Sequence, residues 1–130
     1  MSSRNREPLS RSEWKIMKIV WERKSCAARD VYKSAGNAHG WAPSTVKTIL
    51  RRLVEKGYLK TTQIGNSFLY QPTQPALKSL FHAADDLLGR ALEGTVAPLL
   101  AYMVKKSDLS REDIAELRYL LDKYEPDKEA

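Results

Sequence analysis

The chain has little of what staples, metallates or anchors a small protein: one cysteine, Cys26, and two histidines, His39 and His82, in 130 residues. A lone cysteine excludes an intrachain disulfide, and no group of His and Cys stands at metal-ligand spacing. No apolar run approaches the roughly 18 to 20 residues that span a bilayer. Behind Arg4 and Arg6 there is no apolar stretch of the kind a secretory signal needs, so a cytoplasmic location is expected. The chain also lacks a recognisable Ser or Cys nucleophile motif, a Gly-rich phosphate loop and a paired-carboxylate signature, which argues against an enzyme and implies no cofactor. There is no internal repeat and no low-complexity tract. The length excludes a large multi-domain enzyme and suits one small domain with an appended oligomerisation arm.

What is present is ordinary in amount and uneven in placement. Apolar residues make up 42% and charged residues 29%, as in a folded chain, and the net charge is +6. Residues 1–75 hold 14 Lys/Arg against 5 Asp/Glu, a balance of +9, while residues 76–130 hold 8 against 11, a balance of −3. A basic half joined to an acidic, Leu-rich half suggests that the first meets a polyanion and the second meets protein.

Ser10-Arg11-Ser12-Glu13 has capping-box spacing, with Leu9 and Trp14 at the staple positions, so a helix is expected from about Arg11 to Arg23. Trp14, Ile16, Met17, Val20 and Trp21 recur at three- and four-residue steps and read as its core face, tryptophans included. Ala27 to Ala35 reads as a short helix with Val31 and Tyr32 inward, ended by Gly36 and followed by a turn over Asn37 to Gly40. Pro43 suits a first helical position and Gly57 the position just past a helix end, which places a third helix over Ser44 to Lys56. Val46, Ile49, Leu50, Leu53 and Val54 form its apolar stripe. Ser44, Thr45, Lys47, Thr48, Arg51 and Arg52 lie outside that stripe: three cations, three hydroxyls and no acid.

Tyr58 to Ile64 and Ser67 to Gln71 are rich in β-branched and aromatic residues and flank Gly65-Asn66, which predicts a two-stranded hairpin. Pro72 and Pro75 break the pattern. Beyond them the chain reads as helical over about Ala76 to Leu92, Thr95 to Val104, and a third segment capped by Ser110 and Asp113 with Leu109 stapled to Ile114. The expected class is therefore α+β and mostly α. Residues 1–9 form a flexible basic N-terminus, 10–73 a winged helix-turn-helix with a two-stranded wing, and 74–130 a helical dimerisation region whose last five residues, from Pro126, fray. Cys26, His39 and His82 are read as structural.

A basic, acid-free helix face suits the major groove of B-DNA, where Arg and Lys donate to guanine and Thr reaches bases or a thymine methyl. Mixed-sign charge is the usual pattern on an exposed helix, so a merely solvated face does not readily explain the missing carboxylates. The C-terminal segment is too short and too apolar for a private core. Leu99, Leu100, Met103, Ile114, Leu117, Leu120 and Leu121 are the candidates for a shared interface; the competing reading folds them back on the first domain of the same chain.

Glu13-Trp14-Lys15-Ile16-Met17-Lys18-Ile19-Val20-Trp21, Trp41-Ala42-Pro43-Ser44-Thr45-Val46-Lys47-Thr48, Leu53-Val54-Glu55-Lys56-Gly57-Tyr58-Leu59 and Asp108-Leu109-Ser110 together strongly resemble the penicillinase repressor family. The resemblance runs from Leu9 to Tyr124. It implies a homodimeric transcriptional repressor of double-stranded DNA on an inverted-repeat operator, often with a TACA/TGTA core. By match to the family's recognition helix, Ser44, Thr45, Lys47 and Thr48 face the bases, while Arg51, Arg52 and the wing around Asn66 and Ser67 lie near the phosphates, with Lys60 and Arg11 as further backbone contacts. In the β-lactam repressors of the family a membrane-bound sensor metallopeptidase leads to cleavage near the start of the C-terminal region. The corresponding bond here joins Tyr102 and Met103, where well-known members have Asn-Phe. Copper-responsive relatives use paired cysteines near the C-terminus, and this chain has none after Cys26. Two other readings stand beside the repressor: a winged-helix protein-interaction module with no operator, and a repressor answering a small molecule or metal.

Overall fold

The computed structural model describes residues 7–126. The part of the expected flexible N-terminus at 1–6 and the expected fraying at 127–130 lie outside the described residues. Helix α1 (Arg11–Arg23) starts at the capping box: Ser10 Oγ accepts the Glu13 N–H at 3.3 Å, and Glu13 Oε1 accepts the Ser10 N–H at 2.7 Å. It ends at Lys24, whose N–H still reaches the Val20 carbonyl at 2.7 Å and whose backbone, at φ 67°, turns the chain out of the helix. A two-residue strand β1 (Cys26–Ala27) leads into α2 (Ala28–His39). Helix α3 (Pro43–Glu55) has Pro in its first turn. Its end is a Schellman closure, in which Gly57, at φ 86°, donates to Val54 O at 3.0 Å and Tyr58 donates to Leu53 O at 2.9 Å.

That closure aims the chain into the hairpin β2 (Leu59–Ile64) and β3 (Ser67–Pro72). Gly65 takes φ 62° and Asn66 does not enter the positive-φ region, the pattern of a II′ turn with glycine first. The sheet is antiparallel in the order β1-β3-β2, with Thr61 opposite Tyr70 and Cys26 opposite Tyr70 on the other side.

Three departures from the sequence expectations have physical causes. The second helix does not stop at Gly36 but continues through Asn37 to His39, and Gly40 ends it at φ 69° by donating to Gly36 O at 3.0 Å. Either glycine could serve as a C-cap; the one that adopts the left-handed conformation does. Trp14 and Trp21 are half-buried rather than core, while Glu13 on the same helix is buried with Ile16, Met17 and Val20. Trp21 lies at the core's rim because its indole N–H needs a partner, which it finds in Gln74 O at 3.2 Å. Strand β1 has no sequence signature, since two residues carry no periodicity.

The core is made where the three helices meet, by Ile16, Met17 and Val20 from α1, Val31 and Ala35 from α2, and Val46, Ile49, Leu50 and Leu53 from α3, closed by Cys26, Tyr58 and Leu59. Every one of those α3 residues belongs to the expected stripe, so the opposite face of α3 is held outward.

After the sheet come α4 (Ala76–Arg90), α5 (Val96–Lys106) and α6 (Arg111–Lys123), the last capped by Ser110 and Asp113 as expected. The chain divides into two compact units, Met1–Leu87 and Leu88–Ala130. The first of α4's turns are tied to the first unit through Gln74, whose amide donates to the buried Ser79 hydroxyl at 2.6 Å. In the second unit α5 and α6 bury no residue. No helix among the described residues is long and apolar enough to cross a membrane.

Candidate nucleic-acid interface

The outward face of α3 presents Ser44, Thr45, Lys47, Arg51 and Arg52 exposed, with Thr48 half-buried. Thr48 is held by its own helix, its hydroxyl donating to Ser44 O at 3.1 Å, so its methyl and hydroxyl keep a fixed direction. Lys47 and Arg52 make no ion pair or hydrogen bond among the described residues, which leaves both cations for an external anion. Arg51 differs: its Nε lies 4.0 Å from Glu55 Oε1 one turn on, both side chains about 70% exposed. An exposed pair of this length contributes little and yields readily to a phosphate.

The elements around α3 fix its pose. Lys56, just past the helix, points its ammonium at Glu13 Oε1 (2.7 Å), at Pro8 O (3.1 Å) and, more distantly, at Glu7 Oε2 (4.0 Å). The Tyr58 hydroxyl donates to Glu7 O at 2.6 Å. Burial pushes the Glu13 carboxyl up, and hydrogen bonds from Lys56 and Ser10 more than reverse this, leaving it below its usual range. In the sequence Glu13 is marked only by the capping box and Lys56 by nothing; a pairing 43 residues apart leaves no local signal.

The wing carries Lys60 near its base and Asn66 and Ser67 at its tip, all exposed, with Gln63 Nε2 donating to Gly65 O at 3.2 Å to brace the turn. Arg11 opens α1 and is exposed. The proposed interface residues of the C-terminal region sit on α5 and α6: Leu99 is half-buried, while Leu100, Met103, Ile114, Leu117, Leu120 and Leu121 are exposed. Tyr102 and Met103 lie inside α5, both exposed. Cys26 is fully buried, and burial pushes its thiol up, which makes it unreactive. His39 stacks on Trp41 with ring centroids 4.7 Å apart. No group of three or more His, Cys, Asp or Glu able to hold a metal occurs among the described residues.

Three helices, a two-stranded wing and an outward helix face of cations and hydroxyls define a winged-helix protein of the DNA-binding class. The sequence profile described as penicillinase repressor matches residues 9–123, and the chain belongs to that family, whose members are DNA-binding transcriptional repressors and not enzymes. A protein of Latilactobacillus sakei, described as an uncharacterized 16.5 kDa protein in the ptsI 3′ region, is 33% identical over 90% of this chain and 80% of its own length. The methicillin resistance regulatory protein MecI of Staphylococcus aureus (strain N315) is 27% identical over 88% of this chain and 94% of its own. Among solved structures, the DNA-binding domain of the repressor BlaI superposes with a TM-score of 0.50 at 32% identity, covering 52% of this chain and 83% of that domain.

Proposed function

We propose that this DNA-binding repressor acts in the cytoplasm as a homodimer that places one α3 in each half of an inverted-repeat operator. Ser44, Thr45, Lys47 and Thr48 read base edges, and Arg51, Arg52, Arg11, Lys60, Asn66 and Ser67 hold phosphates. The observation that carries this reading is the outward face of α3, where Lys47 and Arg52 are exposed and unpaired while the opposite face is locked in the core. Residues near the start of a recognition helix reach deepest into the groove, and cations one to two turns later meet the backbone. Dimerisation is supported by the bare apolar surface of α5 and α6, which a chain of this size would have to cover. Two half-sites held by one dimer gain an effective-concentration advantage, so cutting the Tyr102–Met103 bond after a signal from a membrane sensor metallopeptidase would release the operator.

Fluorescence anisotropy with a palindromic TACA/TGTA duplex and a scrambled duplex, each at several salt concentrations, tests the reading. A specific repressor prefers the palindrome by about 10³ or more and binds as two chains. Equal binding to both, abolished alike by salt, would reduce α3 to an electrostatic footprint and overturn the operator.

A further inference from the structure

We infer that Lys15, His39 and Trp41 form a second phosphate-binding site, which grips the DNA backbone just outside the segment that α3 enters. The inference rests on the DNA-binding reading and adds residues that neither composition nor family motif marks as contacts.

Three elements converge here. Lys15 comes from α1, His39 is the last residue of α2, and Trp41 lies in the connection that leads directly into α3. The Lys15 ammonium sits 5.7 Å from the centroid of the Trp41 ring, and the His39 ring lies 4.7 Å from it at a tilt of 35°. The indole is thus in contact with both a cation and an imidazole. Its own N–H makes no hydrogen bond among the described residues, and no buried side-chain nitrogen or oxygen among them lacks a partner, so that N–H is open to solvent. An indole N–H and an ammonium are donors only, and an imidazole has at least one donor in either protonation state. The cluster therefore offers donors to an anion and no carboxylate to repel it.

Lys15 also belongs to a row. Arg11, Lys15 and Lys18 stand four and three residues apart on α1, on one side of the helix, with Arg11 and Lys18 exposed and Lys15 half-buried against Trp41. This row carries positive charge from the start of α1 to the residue that touches the α3 connection at Trp41, three residues before the base-reading face begins at Ser44. A duplex whose major groove receives the start of α3 presents phosphates of the bordering strand at the groove's edge, and the ligand chemistry matches: a single negative charge with several acceptor oxygens. Trp41 contributes a donor and also holds Lys15 in place, which reduces the side-chain entropy that a free lysine loses on contact.

The test compares Lys15→Met, His39→Gln and Trp41→Phe, singly and together, with wild type and with Lys33→Met, an exposed lysine on α2 that serves as a charge-matched control. Affinity for the palindromic and scrambled duplexes is measured across salt concentration, with thermal melts confirming that each variant folds. Lys15→Met is expected to weaken both duplexes by the same factor of about three to ten and to lower the salt slope by about 0.9, the value for one phosphate. Trp41→Phe, which keeps the ring and loses the N–H, weakens both without changing preference. In duplexes carrying a single neutral methylphosphonate, one position at the edge of each half-site weakens wild type and leaves the triple variant unaffected. A triple variant with wild-type slope and affinity would overturn the site, as would a Lys33→Met slope loss equal to that of Lys15→Met. If wild type itself shows no preference for the palindrome, the operator reading fails; a salt slope still lowered by Lys15→Met and not by Lys33→Met would then uphold the phosphate site on its own.

Discussion

Glu13 caps α1 and anchors α3 with the same carboxylate oxygen, Oε1, and both duties depend on its charge. Its folded pKa is depressed, so its contribution to stability is complete above the unfolded value near 4.5 and is lost as the pH falls through the lower folded value. Lys56→Met leaves that carboxylate buried without its counter-ion, which costs about 3 kcal/mol at neutral pH. Urea melts of this variant and wild type should converge as the pH is lowered through that window; a difference independent of pH would mean the pair is not the source. In the proposed complex the side chains of α3 divide by reach. Thr45→Ala or Lys47→Ala should narrow the gap between palindromic and scrambled duplexes, by about 1 to 3 kcal/mol for a base-edge contact. Arg52→Ala should weaken all duplexes alike and flatten the salt dependence. Equal losses on both duplexes in all three variants would remove the division of labour.

Among the elements, those whose ends are written in local chemistry were legible in advance. Ser10 with Glu13, Ser110 with Asp113, Pro43 and Gly57 each satisfy a helix terminus within a few residues, and α1, α3 and α6 begin or end there. Which face of α3 points outward followed from its apolar stripe, since Val46, Ile49, Leu50 and Leu53 are all in the core. What local chemistry does not contain is choice between equivalents and pairing across distance: Gly36 against Gly40 as the end of α2, β1 against β3, Glu13 against Lys56, Lys15 against Trp41. Helix α5 adds a constraint on any cleavage at Tyr102–Met103. The bond lies within the helix, its last turn closed by the Ser107 hydroxyl donating to Met103 O at 2.7 Å, and a protease needs an extended strand. Cutting must therefore wait for local unwinding. Ala101→Gly, which weakens the helix by about 1 kcal/mol, should speed limited proteolysis at this bond about fivefold. An unchanged rate would show that the bond is reached without unwinding α5.

At the scale of the whole molecule, the first unit has a closed core and the second does not. Leu100 is 53% exposed, Leu120 59% and Leu121 70%, a surface that a folded chain covers with another copy of itself in the proposed dimer. Sedimentation at micromolar concentration should give the mass of two chains, and Leu117→Glu with Leu121→Glu should give one while the first unit keeps its melting transition. A wild-type mass of one chain would refute the dimer. The small sheet has a bearing on a different property, the behaviour of the protein at high concentration. Strand β2 is its long open edge, and along Lys60, Thr61, Thr62 and Gln63 that edge is charged or polar, while the opposite edge is only two residues long. Such borders discourage strands of other molecules from adding to the sheet. A repressor that must gather at a few DNA sites without clumping elsewhere is protected by the plainness of its wing, and replacing Lys60 and Thr62 with valine would turn that border into a template for aggregation.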